Sequence, residues 1–211
     1  MKTLNLIAFC LFTATIGLAQ TNNYASQMEK GVALLDTMKT QKSYSAAVSY
    51  FELLAKNEQQ WLPQYYAAYS NLIVGIRGNQ DQESKDGQYD NAMSYVNKAD
   101  ALSPNNSEIY ILKAYITFMK MSVYPQQRAM TMIPESEQLL EKAIALDPAN
   151  PRAYLLKGQN AFYTPELFGG SKTEAKVFLT TAKAKFETFI AKSYEPNWGK
   201  SRVDELLKEY K

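Results

Sequence analysis

Apolar residues recur at intervals of three and four along most of the chain, which is the spacing of one face of an α-helix. The pattern predicts helices over 25–40, 44–56, 62–77, 88–102, 107–120, 134–146 and 151–163. Pro104 and Pro148 mark two helix ends, because the residue before a proline is pushed out of the helical region. The chain is therefore predicted to be all-α.

The same residue types return every 44 residues. Tyrosines stand at this interval in three successive segments: Tyr66, Tyr110 and Tyr154. Four positions after each tyrosine comes a small residue: Ser70, Ala114 and Gly158. A small residue lets two crossing helices approach, while the aromatic ring one turn earlier on the same face fills the neighbouring space. We expect these six residues to define the packing of a repeat.

The repeat resembles the tetratricopeptide repeat (TPR) family, in which an aromatic residue and a glycine occupy the first helix and an Ala-x3-Phe pattern the second. Tyr154 and Gly158 match this pattern, whereas Lys157 and Ala161 depart from it. The resemblance implies a TPR-like α-α superhelix, a right-handed solenoid of antiparallel helix hairpins. Its units are expected over 24–57, 62–104, 107–148 and 151–195, followed by a terminal helix over 200–211.

The chain is also similar to a group of small exported bacterial TPR-like proteins. The similarity rests on a Tyr-Thr-Pro-x-x-Phe-Gly-Gly segment at 163–170 and a Pro-Asn-Trp-Gly segment at 196–199. This group implies a fold and a compartment but no reaction.

The period of 44 residues exceeds the TPR period of about 34 residues. We expect the additional residues to form loops between the two helices of each hairpin, over 78–87, 121–133 and 164–173. Loops inserted at equivalent positions project from one edge of a solenoid, and that edge is often the binding face.

The first helices of such an array line a concave groove. Counting from the three matched tyrosines places eight side chains there: Asn71, Val74, Ile111, Tyr115, Phe118, Leu155, Gln159 and Phe162. Aromatic rings supply contact area, and amides supply hydrogen bonds to a backbone. The open alternative is that several of these side chains pack between helices instead.

The first 19 residues are typical of a signal peptide. Lys2 precedes an uncharged apolar run over 4–18, and small residues at 17 and 19 predict cleavage before Gln20. The single cysteine, Cys10, would leave with this segment. We therefore expect an exported protein in a bacterial periplasm or exterior, with no transmembrane segment in the mature chain.

Composition narrows the chemistry that the chain can perform. With no histidine and no cysteine after cleavage, histidine relays, thiolate nucleophiles and imidazole-bound metals are excluded. A net charge of +2 gives no basic stripe for nucleic acid. We expect no catalytic residue, no metal and no cofactor.

The preferred hypothesis is a non-catalytic binding or scaffold protein that recognises a protein or peptide partner through the groove and the inserted loops. Two alternatives stay open. One is a glycan- or nutrient-binding accessory protein, and the other is an all-α glycan hydrolase that uses a carboxylate. A buried glutamate in an apolar pocket would favour the hydrolase.

Overall fold

The computed structural model describes residues 23–35 and 40–210. The predicted signal peptide and Cys10 lie outside these residues, so cleavage and export stay predictions. Within the described ranges the chain forms helices and no strand. The α-helices are α1 (23–35), α2 (Gln41–Asn57), α3 (Trp61–Arg77), α4 (Gln82–Leu102), α5 (Ser107–Met121), α6 (Pro125–Leu146), α7 (Pro151–Tyr163), α8 (Lys172–Thr188) and α9 (Lys200–Lys208), with a 3-10 turn at Glu166–Phe168. The all-α prediction is confirmed for this part of the chain.

Local sequence signals explain where the helices begin. Asn106 and Asn150 cap α5 and α7, each accepting a hydrogen bond from the backbone N–H two residues later. Such caps satisfy donors that the first turn of a helix leaves free. Pro125 and Pro151 occupy the first helical positions of α6 and α7, where a missing N–H costs nothing.

Consecutive helices pack against each other. The closest partners are α3 with α4, α5 with α6, and α7 with α8, while α2 packs on α3. Because short connections join these helices, each pair runs antiparallel. α5 also touches α3 on one side and α7 on the other, so the first helices of three pairs form a layer.

The small residues of the repeat lie where helices meet. Ser70, Ala114 and Gly158 are all buried. At Gly158 an added Cβ would lie 2.7 Å from the Cγ atom of Leu179 and 3.2 Å from the carbonyl oxygen of Ala175. α7 and α8 therefore approach at a distance that excludes even a methyl group. Of the matching tyrosines, Tyr66 is buried in the core, and Tyr110 and Tyr154 are partly buried.

The prediction of inserted loops over 78–87 and 121–133 is wrong. α4 begins at Gln82 and α6 at Pro125, so most of these residues extend the second helices towards their N-termini. Asp81 caps α4 by accepting a hydrogen bond from Ser84 N–H at 2.7 Å. The two extensions are joined because Arg128 Nη2 donates to Asp86 Oδ2 at 3.0 Å. Only the connection over 164–171 is non-helical over most of its length, apart from its 3-10 turn.

One column of buried polar residues runs through the repeats at the 44-residue interval. Gln64, Glu108 and Arg152 occupy the same position near the start of α3, α5 and α7, and all three are buried. Gln64 donates to the carbonyl oxygen of Ala55. Arg152, fully buried, donates to Glu108 through Nε at 2.9 Å and again through Nη2. An ion pair thus links adjacent repeats at equivalent positions.

None of the helices in the described ranges has both the length and the apolar character that crossing a membrane requires.

Candidate ligand-binding groove

A cavity of about 760 Å³ opens between the layer of first helices and the C-terminal segment. α3, α5 and α7 supply one wall, and residues 197–205 supply the other. The C-terminal residues reach this position because an irregular segment over 189–199, which we call the strap, leaves α8 and crosses towards α3. The helix layer alone would leave an open concave face, and the strap converts it into a cavity.

The strap adds Trp198 to a cluster of tyrosines on α3 and α5 at the cavity. The Trp198 ring stacks on Tyr69 at a centroid distance of 5.6 Å and an interplanar angle of 21°. Tyr69 is in turn parallel to Tyr65, at 6.5 Å and 9°, and Tyr115 lies 6.0 Å from Trp198. The indole N–H of Trp198 donates to the Tyr65 hydroxyl at 3.0 Å. Flat rings with their faces aligned favour a flat ligand.

Tyr69 and Tyr115 of the cavity stay neutral at physiological pH. Burial raises the pKa of Tyr69 and of Tyr115 above the ordinary value, because a phenolate would lose its hydration there. For Tyr69 the neighbouring Tyr115 adds to the increase. These phenols can offer hydrogen bonds or ring contact to a ligand, but their ionised phenolate form is disfavoured.

Cations lie at the edge of the apolar surface. Arg77 is exposed at the end of α3 and, among the described residues, makes no hydrogen bond or ion pair. Arg202 on α9 is engaged, since it donates to Gln159 at 3.2 Å, to Tyr163 at 2.8 Å and to Glu205 at 3.0 Å. The cavity therefore combines apolar walls with positive charge at its rim, and Arg77 is available to an anion.

A smaller cavity of about 290 Å³ adjoins the first. Val32 and Leu35 of α1 form its far side, and Glu195 belongs to the strap. The two cavities have five lining residues in common: Tyr69, Ile73, Arg77, Asn197 and Trp198.

The structure brings together half of the eight predicted groove residues. Tyr115, Phe118, Leu155 and Gln159 line the larger cavity.

The other four point elsewhere. Asn71 donates to Glu52 and to the carbonyl oxygen of Ala67. Val74 and Ile111 are buried in separate apolar clusters. Phe162 packs against Tyr210 at 5.9 Å. The spacing of the repeat identified the correct helices, but a helix face turns by about 100° per residue.

Sequence reasoning missed four residues that line the larger cavity: Tyr69, Arg77, Trp198 and Arg202. The position of Tyr69 is occupied by Lys113 and Lys157 in the next repeats, so no periodic signal marks it. Trp198 and Arg202 reach the groove by the path of the strap, which the repeat pattern does not encode. The unusual Pro-Asn-Trp-Gly segment was the one available signal.

Glu108 is a buried glutamate, the feature that would favour a hydrolase, but its carboxylate is already hydrogen-bonded to neighbouring side chains. Both its oxygens accept hydrogen bonds from Arg152, and Asn150 donates to it as well. In the larger cavity the carboxylate is Glu205, which pairs with Arg202.

An all-α array with an aromatic, cation-edged cavity has the construction of a ligand-binding protein. No protein-family model matches the chain, and no curated protein does. A solved structure that the chain does match is described as the HusA haemophore from Porphyromonas gingivalis. The match has 33% sequence identity and a TM-score of 0.78, and it covers 88% of this chain and 92% of that chain. The chain belongs to the family of this haemophore, which is a binding protein rather than an enzyme.

Proposed function

We propose that this protein is a non-catalytic binding protein that holds haem, or a closely similar tetrapyrrole, in the larger cavity. A haemophore carries haem, and the likeness to one over most of both chains supports the proposal. The observation in this chain that carries it is the pairing of stacked aromatic rings with a free guanidinium at one cavity. This corresponds to the nutrient-binding alternative of the sequence analysis, with haem as the carried ligand.

Haem is flat and apolar, with two carboxylates on one edge, and each property has a counterpart in the cavity. The volume of about 760 Å³ lies within the range of small-molecule sites. Tyr69, Tyr115 and Phe118 offer ring and apolar contact. Arg77 is free to form a charge-assisted hydrogen bond with a carboxylate, which is stronger than a neutral one.

Iron would contribute little to this binding. The chain contains no histidine. Burial of Tyr69 and Tyr115 disfavours a tyrosinate ligand at either residue, and the hydroxyl of Tyr163, the third tyrosine of the cavity, accepts a hydrogen bond from Arg202 at 2.8 Å. Met119 lines the cavity and has a thioether, a weaker candidate. We therefore expect iron-free protoporphyrin IX to bind with an affinity close to that of haemin.

The test is an equilibrium titration of the purified chain with haemin and with protoporphyrin IX. The Arg77→Gln variant should weaken binding of both ligands about tenfold, because one charge-assisted hydrogen bond is lost. Lys142→Gln is the matched control, because Lys142 lies on α6 outside the cavity lining. Protoporphyrin dimethyl ester has no carboxylate, so Arg77→Gln should leave its affinity unchanged.

Two results would count against haem as the ligand. One is that neither tetrapyrrole binds the unaltered chain. The other is that Arg77→Gln and Lys142→Gln weaken binding equally, which would indicate a non-specific charge effect.

We also propose that the fold is a TPR-like superhelix and that the protein is exported. The consecutive helix pairs and the 44-residue period support a TPR-like superhelix. The apolar run over 4–18 supports export to the periplasm or exterior. Mass spectrometry of the protein expressed from its full reading frame should give a mature chain that begins at Gln20.

A protein partner is a second candidate, favoured by a different surface. Leu102, Leu146 and Ile190 are spaced 44 residues apart and are all exposed, Ile190 by 88%. Large apolar residues that repeat along one edge of an array are typical of a protein contact. If a partner is captured from the native envelope, Leu146→Asp should release it. A Tyr115→Ala/Phe118→Ala variant tests the groove instead.

A further inference from the structure

Two hydrogen bonds and several ring and apolar contacts attach the strap to the helices, and the Arg152 guanidinium lies 4.4 Å from the centre of the Phe189 ring and 5.8 Å from that of Trp198. The Tyr66 hydroxyl donates to the Tyr194 carbonyl oxygen at 2.7 Å, and Trp198 donates to Tyr65. Within the strap, Glu195 N–H donates to the Lys192 carbonyl oxygen at 3.0 Å, which makes a single turn. A segment without a helix of its own, held by two hydrogen bonds and by ring contacts that a ligand can replace, can leave its position while the helices stay packed.

Trp198 stands at the boundary between the two cavities. Its ring belongs to the lining of both, and so does the guanidinium of Arg77. The indole stacks on Tyr69, lies tilted by 32° against Tyr115 and within 5.8 Å of the Arg152 guanidinium, and donates one hydrogen bond. A flat ligand can replace the ring contacts that the indole makes there, because one aromatic face is exchanged for another.

We propose that Trp198 is the specificity-determining residue of the groove and that the strap is its gate. A large planar anion of tetrapyrrole size displaces the indole and occupies both cavities, with a carboxylate on Arg77. A small planar anion fits the larger cavity alone and leaves the strap in place. This inference rests on the proposed function.

A hydrogen-exchange experiment separates a gate from a fixed wall. Backbone exchange over 194–199 is measured by mass spectrometry in the free chain, with protoporphyrin IX and with 1-anilinonaphthalene-8-sulfonate as the small planar anion. Displacement of the strap predicts faster exchange with protoporphyrin IX than in the free chain. The smaller anion should leave exchange unchanged or slower.

Association kinetics test the same gate with conservative variants. Tyr66→Phe removes the hydrogen bond to the strap and keeps the ring, so protoporphyrin IX should associate about two- to tenfold faster. The rate for the small anion should stay the same. Tyr50→Phe is the matched control, because the Tyr50 hydroxyl makes an equivalent bond to the Gln27 carbonyl oxygen at 2.8 Å, away from the groove. Circular dichroism and a melting curve establish that both variants fold.

The outcomes are distinct. If protoporphyrin IX binds but slows exchange over 194–199, and Tyr66→Phe behaves like Tyr50→Phe, the gate is refuted while the proposed function stands. If the unaltered chain binds no tetrapyrrole, the proposed function fails and the gate fails with it. Faster exchange together with faster association, confined to the large ligand, supports the gate.

Discussion

The buried column of Gln64, Glu108 and Arg152 places three polar side chains at one position of successive repeats. The Glu108 carboxylate accepts hydrogen bonds from Nε and Nη2 of Arg152 there, and the guanidinium also lies 4.4 Å from the centre of the Phe189 ring. A charge without its partner in this place would keep the desolvation cost and lose the attraction. The pair is therefore a strong requirement for stability even though its net contribution is small.

Replacing Arg152 by glutamine should destabilise the chain by about 3–5 kcal/mol, the cost of an uncompensated buried charge. The double variant Glu108→Gln/Arg152→Gln should recover much of this loss, because two amides can hydrogen-bond and neither is charged. Urea denaturation gives both free energies of unfolding. Lys183→Gln, which breaks the exposed pair with Asp204, is the control and should change little. Equal losses in the single and double variants would show that the charge is not the cause.

At the scale of elements, helix approach is set by residue volume. Gly158 in α7 has no room for a side chain, whereas Gly87 in α4 has no neighbouring atom within 4 Å of an added Cβ. Replacement of glycine by alanine should therefore have opposite effects on the free energy of unfolding at the two sites.

Gly158→Ala should lower the free energy of unfolding by about 1–2 kcal/mol, because overpacking against Leu179 exceeds the gain in helix propensity. Gly87→Ala should raise it by about 0.5–1 kcal/mol, since the added methyl group meets nothing and alanine restricts the unfolded chain. Thermal and urea unfolding of the pair measure both effects. A stabilised Gly158→Ala variant would contradict the packing described for α7 and α8.

The helices could be predicted from the sequence where hydrophobic spacing and caps agree. The first helices were placed within about one residue of their observed bounds. The second helices were predicted to begin later than Gln82 and Pro125. Gly87 was predicted to lie in a loop and Pro134 to begin a helix, but both lie inside helices. The hydrogen bonds between Arg128 and Asp86, distant in sequence, help to hold these extensions together.

At the scale of the whole molecule, the buried phenols make stability sensitive to alkali. Burial raises the pKa of Tyr65, Tyr66, Tyr69, Tyr89 and Tyr115. In the unfolded chain these groups ionise near pH 10. Their contribution to stability is therefore complete below about pH 10 and is lost as the pH rises towards the folded values.

We expect cooperative unfolding above about pH 10, with the free energy of unfolding falling by about 1.4 kcal/mol per pH unit for each such phenol. Tyr69→Phe keeps the ring that stacks on Trp198 and removes one ionisable group, so the unfolding midpoint should move to higher pH. Absorbance at the tyrosinate band, followed together with circular dichroism, measures this. Ionisation of all tyrosines near pH 10 without loss of helix would contradict it.

Only part of the groove could be predicted from the sequence. Repeat spacing identifies the helices that form its wall, and it placed Tyr115, Phe118, Leu155 and Gln159 there. It carries no information about Trp198 and Arg202, because these residues reach the groove through a tertiary contact rather than through the period. Arg77 lies on α3, but Met121 and Pro165 take its place in the next repeats, so the period does not mark it either.

The contact between strap and α3 also has a consequence for the order of folding. Helix pairs form from neighbours in sequence, but the bond from Trp198 to Tyr65 closes a loop of 133 residues. Closing so long a loop costs entropy that local contacts do not, so the strap should dock late, after the folding barrier. Weakening that contact should speed unfolding and leave the folding rate nearly unchanged.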